Sequence, residues 1–258
     1  ALLKQEYKGK KIKILTKGES NTKINKSLKA YVDYDVMLVH LLPHNEADTL
    51  MQRKTKRTVC AFATVAECHV ACLNKAGRGG IVKKGEDTNT IQVARLRRTL
   101  LYLDDRDTFM AQLYKEVALF VKRCKKNNKK PCVRLNGTSD IQWELELYKG
   151  KSMFDSFPDV QWYDYTKIPT RKVDHISNYH LTWSYSEAAE KYAKLFDSVP
   201  YNKAVVFRNK ELPSTFKGVK VIDGDKTDMR FLDEPNVVVG LKAKGKAKKD
   251  MTGFVIDN

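Results

Sequence analysis

Three of the five cysteines of this 258-residue chain fall within thirteen residues, as Cys60-x7-Cys68-x3-Cys72. A thiolate is a soft ligand, so three on one short segment can surround an iron–sulfur cluster or most of a zinc site. A structural zinc site takes four protein ligands. The segment offers three sulfurs and His69, and its adjacency to Cys68 makes joint ligation awkward. A cubane cluster held by three thiolates leaves one iron open, so the pattern favours a cluster over zinc, with three buried free thiols as the plain alternative. Cys124 and Cys132, at a basic helix end and a strand start, read as small core residues.

An odd cysteine count with three bunched together suits ligands in a reducing compartment better than a secreted disulfide framework. The chain has no run of eighteen apolar residues, and Ala1 to Lys17 is polar and lysine-rich. A soluble cytoplasmic protein with no membrane partner is the expectation.

At 258 residues and 42% hydrophobic, the chain can bury one full core. Asp35 to Leu42 is nearly all apolar, as a strand buried on both faces would be. The cysteine segment follows it. Ile91 to Tyr102 and Phe109 to Arg123 read as helices, the second with Phe109, Leu113, Val117 and Phe120 on one stripe and Asp107 as its cap. Cys132 to Leu135, Val160 to Tyr165, Tyr179 to Trp183, Lys203 to Phe207, Val219 to Ile222 and Val237 to Leu241 read as strands. Ser186 is placed to cap a helix over 187–196, with Glu190 and Lys194 as an i,i+4 pair. This alternation predicts an α/β domain over 35–258, a mostly parallel sheet curled into a partial (β/α) barrel of about six strands. Residues 1–34 would form a basic arm.

In such barrels the carboxyl ends of the strands carry the site. The cysteine segment, Asn136 to Asp140, Asp164 to Lys167, Ser184 and Asp223 to Asp228 would then converge on one mouth. The turn Asn136-Gly137-Thr138-Ser139-Asp140 offers an amide, two hydroxyls and a carboxylate for a small amino-carboxylate ligand, or a cap for a helix from Ile141. On a period of two, Tyr163, Tyr165 and Lys167 share one strand face and Asp164 and Thr166 the other. Asp223, Asp225 and Asp228 match no calcium-loop spacing and read as a structural turn. Arg95, Arg98 and Thr99 lie on one helical side, where they could meet an anion or simply face solvent. His175 and His180 lack a partner at catalytic or zinc spacing.

The formal charge is +17. Lysines concentrate near the N-terminus, after the second long helix and over Lys242 to Lys249, a field that attracts polyanions, nucleic acid foremost, or merely solvates the surface. No zinc-finger, homeodomain or RNA-recognition motif is legible.

After Asp35 the chain resembles a family of bacteriophage proteins of the gene product 88-like type. The matching stretches are Cys60 to Arg78, Ala94 to Thr99, Arg134 to Asp140, Tyr163 to Lys167, Asn178 to Thr182, Asp223 to Asp225 and Gly240 to Gly245. This resemblance implies a phage-encoded protein acting in the bacterial cytoplasm. A second likeness is to radical S-adenosylmethionine enzymes, which hold a [4Fe-4S] cluster on a three-cysteine loop after the first strand of a partial barrel. They bind the cofactor's amino group near a small-residue turn after the second strand. By that likeness Cys60, Cys68 and Cys72 ligate the cluster, and Asn136, Ser139 and Asp140 help hold S-adenosylmethionine. The chain departs from that pattern in its cysteine spacing, where C-x3-C-x2-C is usual, and in lacking a Gly-Gly-Glu turn. The competing expectation is a basic nucleic-acid-binding protein whose three-cysteine site, cluster or zinc, is structural.

Overall fold

In the computed structural model, which describes residues 12–69, 72, 74, 77–85 and 88–258, the chain begins with a short strand, β1 (Leu15–Lys17), and a helix, α1 (Thr22–Ala30). The apolar run after Asp35 then forms β2 (Tyr34–Val39), and α2 (Glu46–Leu50) opens the excursion that carries the cysteines. Two long helices follow, α3 (Thr90–Asp104) and α4 (Arg106–Lys126). They lead into β3 (Lys130–Arg134), a small hairpin of β4 (Leu147–Tyr148) and β5 (Lys151–Ser152), and the single turn α5 (Met153–Ser156). Next come β6 (Gln161–Thr166), β7 (Tyr179–Ser184), α6 (Glu190–Ala193) and β8 (Asn202–Phe207). The chain closes with β9 (Thr215–Phe216), β10 (Val219–Asp223), β11 (Val238–Lys242) and β12 (Val255–Ile256).

Ten of these strands form one sheet in the order β1-β2-β3-β6-β7-β8-β11-β10-β9, with β12 also on β8. From β2 to β11 every neighbouring pair is parallel, and so is β10 with β11. β1 and β9 are the antiparallel edges. β12 runs beside Val206 and Phe207, just past the point where β7 leaves β8 at Ala204.

Side chains alternate across a strand, and the two sets reach different covers. Met37, Val39, Val133, Leu135 and Trp162 pack with Phe109, Leu113, Val117 and Phe120 of α4. Val36, Leu38, Cys132 and Tyr163 pack instead with Ile24 of α1 and Met229 from the β10–β11 connection. Both faces are therefore covered, which is why β2 reads as an unbroken apolar run. The fold is a mixed α/β unit on a large, mostly parallel open sheet; among the described residues its edge strands β1 and β9 do not pair to close a barrel.

Three local expectations change. The predicted basic arm is fastened to the sheet from Ile12 onward, since β1 pairs with β2 and Ile24 is buried; residues 1–11 lie outside the described residues. Asp105, not Asp107, caps α4, accepting the Thr108 N–H at 3.1 Å, a contact worth about 1 kcal/mol. The helix expected over 187–196 shrinks to α6; the Ser186 hydroxyl accepts the Ala188 N–H at 3.2 Å and donates to Ala66 O at 2.9 Å, which ties the cysteine segment to the end of β7. The predicted Glu190–Lys194 pair forms at 2.6 Å in full view of solvent, where such a pair adds little.

Two contacts hold the β1 edge. Ile14 N and Leu15 N donate to the Glu116 carboxylate of α4 at 2.7–3.1 Å, and Arg98 Nε donates to Lys13 O at 2.7 Å. At the other edge, Lys217 and Gly218 turn β9 into β10 with φ of 50° and 78°, a left-handed pair that closes a tight hairpin.

Candidate functional site

The chain leaves β2, makes α2, and returns at Val59–Cys60, where Cys60 forms a parallel bridge with Asp140 and the Asp140 N–H donates to Val59 O at 2.8 Å. The first cysteine is thereby fixed against the turn that follows β3. Its sulfur accepts the His44 N–H at 3.2 Å, and Cys72 Sγ accepts the Asn74 N–H at 3.5 Å. Cys68 Sγ lies 3.8 Å from Ala63 O. Burial pushes all three thiols up, Cys72 to about 11, and the charge of the neighbouring cysteines adds to the effect in Cys60 and Cys72, so the three lie within electrostatic reach of one another. Among the described residues no group of three or more His, Cys, Asp and Glu side chains stands arranged to hold a metal ion. His69 turns its Nδ1 to Ala63 O at 3.0 Å, and its ring lies tilted against that of His44 with centroids 5.5 Å apart.

The turn after β3 is built around Asn136. Its Oδ1 accepts from the Ser139 hydroxyl, Ile141 N and Trp143 Nε1 at 2.9–3.0 Å, and its Nδ2 donates to Ile141 O. These bonds replace the helix cap expected at Ile141, and the chain makes only a 3-10 turn over Trp143–Leu145. A Cβ on Gly137 would sit 2.6 Å from Val39 O, so only glycine lets the turn meet the end of β2. Asn136 and Ser139, expected to hold a ligand, are thus committed to the turn's own frame. Asp140 is different. Its Oδ2 accepts the Lys167 N–H at 2.7 Å, but Oδ1 is buried with no hydrogen-bond partner, 3.7 Å from an equally unpartnered Arg171 Nη1.

Cations surround this place. Burial lowers Lys167 to about 8, with Cys68 and Asp140 in its field. Arg171 donates to Glu144 and to the Tyr179 hydroxyl, and its side chain is wholly buried. Arg95 reaches Asn74 beside Cys72 and leaves Nε unpartnered. Arg98 and Thr99 do not share that role: they hold the backbone at Lys13, His40 and Leu42. Lys167 was foreseeable as a strand-end residue and Arg95 as one of a helical side that could meet an anion; Arg171 gave no signal beyond its charge. Asp225 bonds Lys244 and Lys242 N, and Asp228 pairs with Arg134 and Lys23 on the α1 side of the sheet, so the acidic turn stays away from the cysteines as a structural element.

Asp164 supports the turn from beneath, accepting Asn136 N at 2.6 Å and the Tyr179 hydroxyl at 2.9 Å, and burial raises its carboxyl to about 7. A folded pKa above the unfolded one means that the native state holds the extra proton, so Asp164 lowers stability as pH rises from about 4 to 7. His40 and His180, lowered by burial to about 3 and 4, act oppositely and add stability up to about pH 6.5. Asp164→Asn keeps the acceptor for Asn136 and removes the opposing slope. Its urea-unfolding free energy is expected to climb more steeply between pH 4 and 7 and to exceed the parent's by about 2–4 kcal/mol at pH 8. A variant less stable than the parent at pH 8 contradicts this.

Residues 2–258 match the family described as Gene product 88. No curated protein and no solved structure matches the chain.

Proposed function

The chain belongs to the gene product 88 family, and from that premise we propose that it is a phage-encoded iron–sulfur protein in which Cys60, Cys68 and Cys72 ligate a [4Fe-4S] cluster. The observation that carries this is the parallel bridge between Cys60 and Asp140, which seats the first thiol at the carboxyl end of β3 with the other two in electrostatic reach. The donor set fits. Three soft sulfurs are available, two already accept backbone N–H groups as cluster thiolates do, and Arg95, Lys167 and Arg171 supply positive charge for an anionic cluster. Ligation calls for the 61–72 segment to draw its sulfurs together, and for three thiols to release their protons.

Six parallel strands in sequential spatial order, β2-β3-β6-β7-β8-β11, support a partial (β/α) barrel akin to radical S-adenosylmethionine proteins. A [4Fe-4S] cluster with one open iron supplies one-electron chemistry and a place for an amino-carboxylate such as S-adenosylmethionine. Asp140 Oδ1 would meet that ligand's ammonium group and Arg171 Nη1 its carboxylate. Such a cluster belongs in a reducing compartment, the bacterial cytoplasm. Among the described residues no helix is long and apolar enough to cross a membrane.

Anaerobic purification followed by iron and sulfide analysis tests the proposal, with about four of each per chain expected. Stoichiometric zinc without sulfide would keep the ligands and discard the cluster; metal-free protein discards both. For the cofactor, the paramagnetic resonance signal of the reduced cluster should shift with S-adenosylmethionine, and less so in Asp140→Ala. An unchanged spectrum removes the radical-enzyme class.

A second reading, nucleic-acid binding, is favoured by one surface feature: Lys244, Lys246, Lys248 and Lys249 are all exposed around a 3-10 turn, and Lys122, Lys125, Lys126 and Lys129 around the end of α4. Binding should then weaken steeply between low and moderate salt with little sequence preference, and Lys→Glu changes within 244–249 should weaken it further. No gel shift at low ionic strength would leave these lysines as a solubility device.

A further inference from the structure

The sheet face opposite α4 carries a cluster of polar groups with no role in the cysteine site. Tyr165 and Thr182 are register partners on β6 and β7, as are Tyr163 and His180 one row toward the strand starts. The Arg134 guanidinium lies 4.7 Å above the Tyr165 ring, and Arg230 stands in the field of His180. Thr182 and Arg230 are fully buried. Yet Arg134 Nε, Tyr165 OH, His180 Nε2, Thr182 Oγ1 and Arg230 Nη1 are all buried without a hydrogen-bond partner.

Buried polar atoms in folded proteins nearly always have partners, so five unpartnered in adjacent rows call for a ligand. The groups themselves specify its chemistry. Two are guanidinium donors, two are hydroxyls and one is an imidazole kept neutral by burial. The ion pairs at this cluster join Lys23 and Arg134 to Asp228 and Arg230 to Asp233, with Asp164 also in the field of Arg134 and Asp225 in that of Lys23. A buried patch with two guanidinium groups and two hydroxyls holding unpartnered polar atoms suits an oxyanion.

We propose that this face binds the phosphate or carboxylate group of a small molecule through Arg134, Tyr165, His180, Thr182 and Arg230. The site shares no residue with the cysteine segment and holds whether or not a cluster binds there. Its test uses thermal melting of the whole chain at fixed ionic strength, with inorganic phosphate in one arm and acetate in the other. A saturable rise of about 5–10 °C is expected at a hundredfold excess over Kd in at least one arm, and the responding arm names the group. Thr182→Val and Tyr165→Phe should melt no lower than the parent without anion, because neither hydroxyl has a bond to lose, and should abolish the rise. No saturable rise in either arm overturns the site. So does a rise that survives both substitutions, the mark of general anion binding to a surface of +17 charge.

Discussion

Alanine at Cys60, Cys68 or Cys72 is expected to strip colour, iron and acid-labile sulfide from anaerobically purified protein, each singly, whereas Cys124→Ala and Cys132→Ala retain all three. A three-thiolate cluster has no spare ligand, so one missing sulfur leaves two irons or more underligated. Position separates the two groups of cysteines. Cys60 bridges to the turn beyond the carboxyl end of β3, while Cys124 lies in the last turn of α4 and Cys132 in the middle of β3. Cys132 is fully buried among Ile24, Val36 and Tyr163, and trimming it costs packing alone, about 1 kcal/mol. Retention of full iron and sulfide in any of the first three variants would release that cysteine from the ligand set; loss in Cys132→Ala would move the cluster onto β3 itself.

Arg171→Met is expected to cost about 3–5 kcal/mol of folding stability, a fall in Tm on the order of 10 °C for a chain of this size. The guanidinium is wholly buried, grips Glu144 through two bonds at 2.9 and 2.5 Å, and donates to the Tyr179 hydroxyl at 2.7 Å. Without it Glu144 and Asp140 are left as buried carboxylates with no guanidinium beside them. Glu144→Gln in the same chain should restore part of the loss, since the larger share of the cost is a stranded charge rather than a missing contact. A Tm within about 2 °C of the parent in Arg171→Met would show that the pair carries no such weight.

The parts of the fold legible in the sequence are those with strong periodicity. The apolar run of β2, the stripe of α4 and the short β-rich segments from β3 to β11 each declare themselves locally. β1 and α1 do not, because Leu15–Lys17 is three residues long and α1 exposes most of its lysines while burying Ile24 and Ser27. The adjacency of the cysteine segment and the Asn136–Asp140 turn follows from their places after neighbouring parallel strands. The division of labour within that turn does not, since it depends on which atoms Asn136 spends on Ser139, Ile141 and Trp143. Buried arginines were hidden for a similar reason. Arg134 and Arg230 sit in the core only because Asp228 and Asp233 meet them there, and for Arg134 that partner lies 94 positions away.

The treatment of the sheet's borders bears on how the molecule meets other copies of itself. An unguarded border strand presents a row of free backbone groups on which a second chain can grow, the usual beginning of runaway association. Here the Glu116 carboxylate already occupies the amides of Ile14 and Leu15, and the opposite border is two residues long and folded back through Lys217 and Gly218. Neither offers a template. Among the described residues both borders of this strand-rich sheet are thus closed to edge-to-edge growth, which leaves side-chain surfaces as the place for any specific assembly.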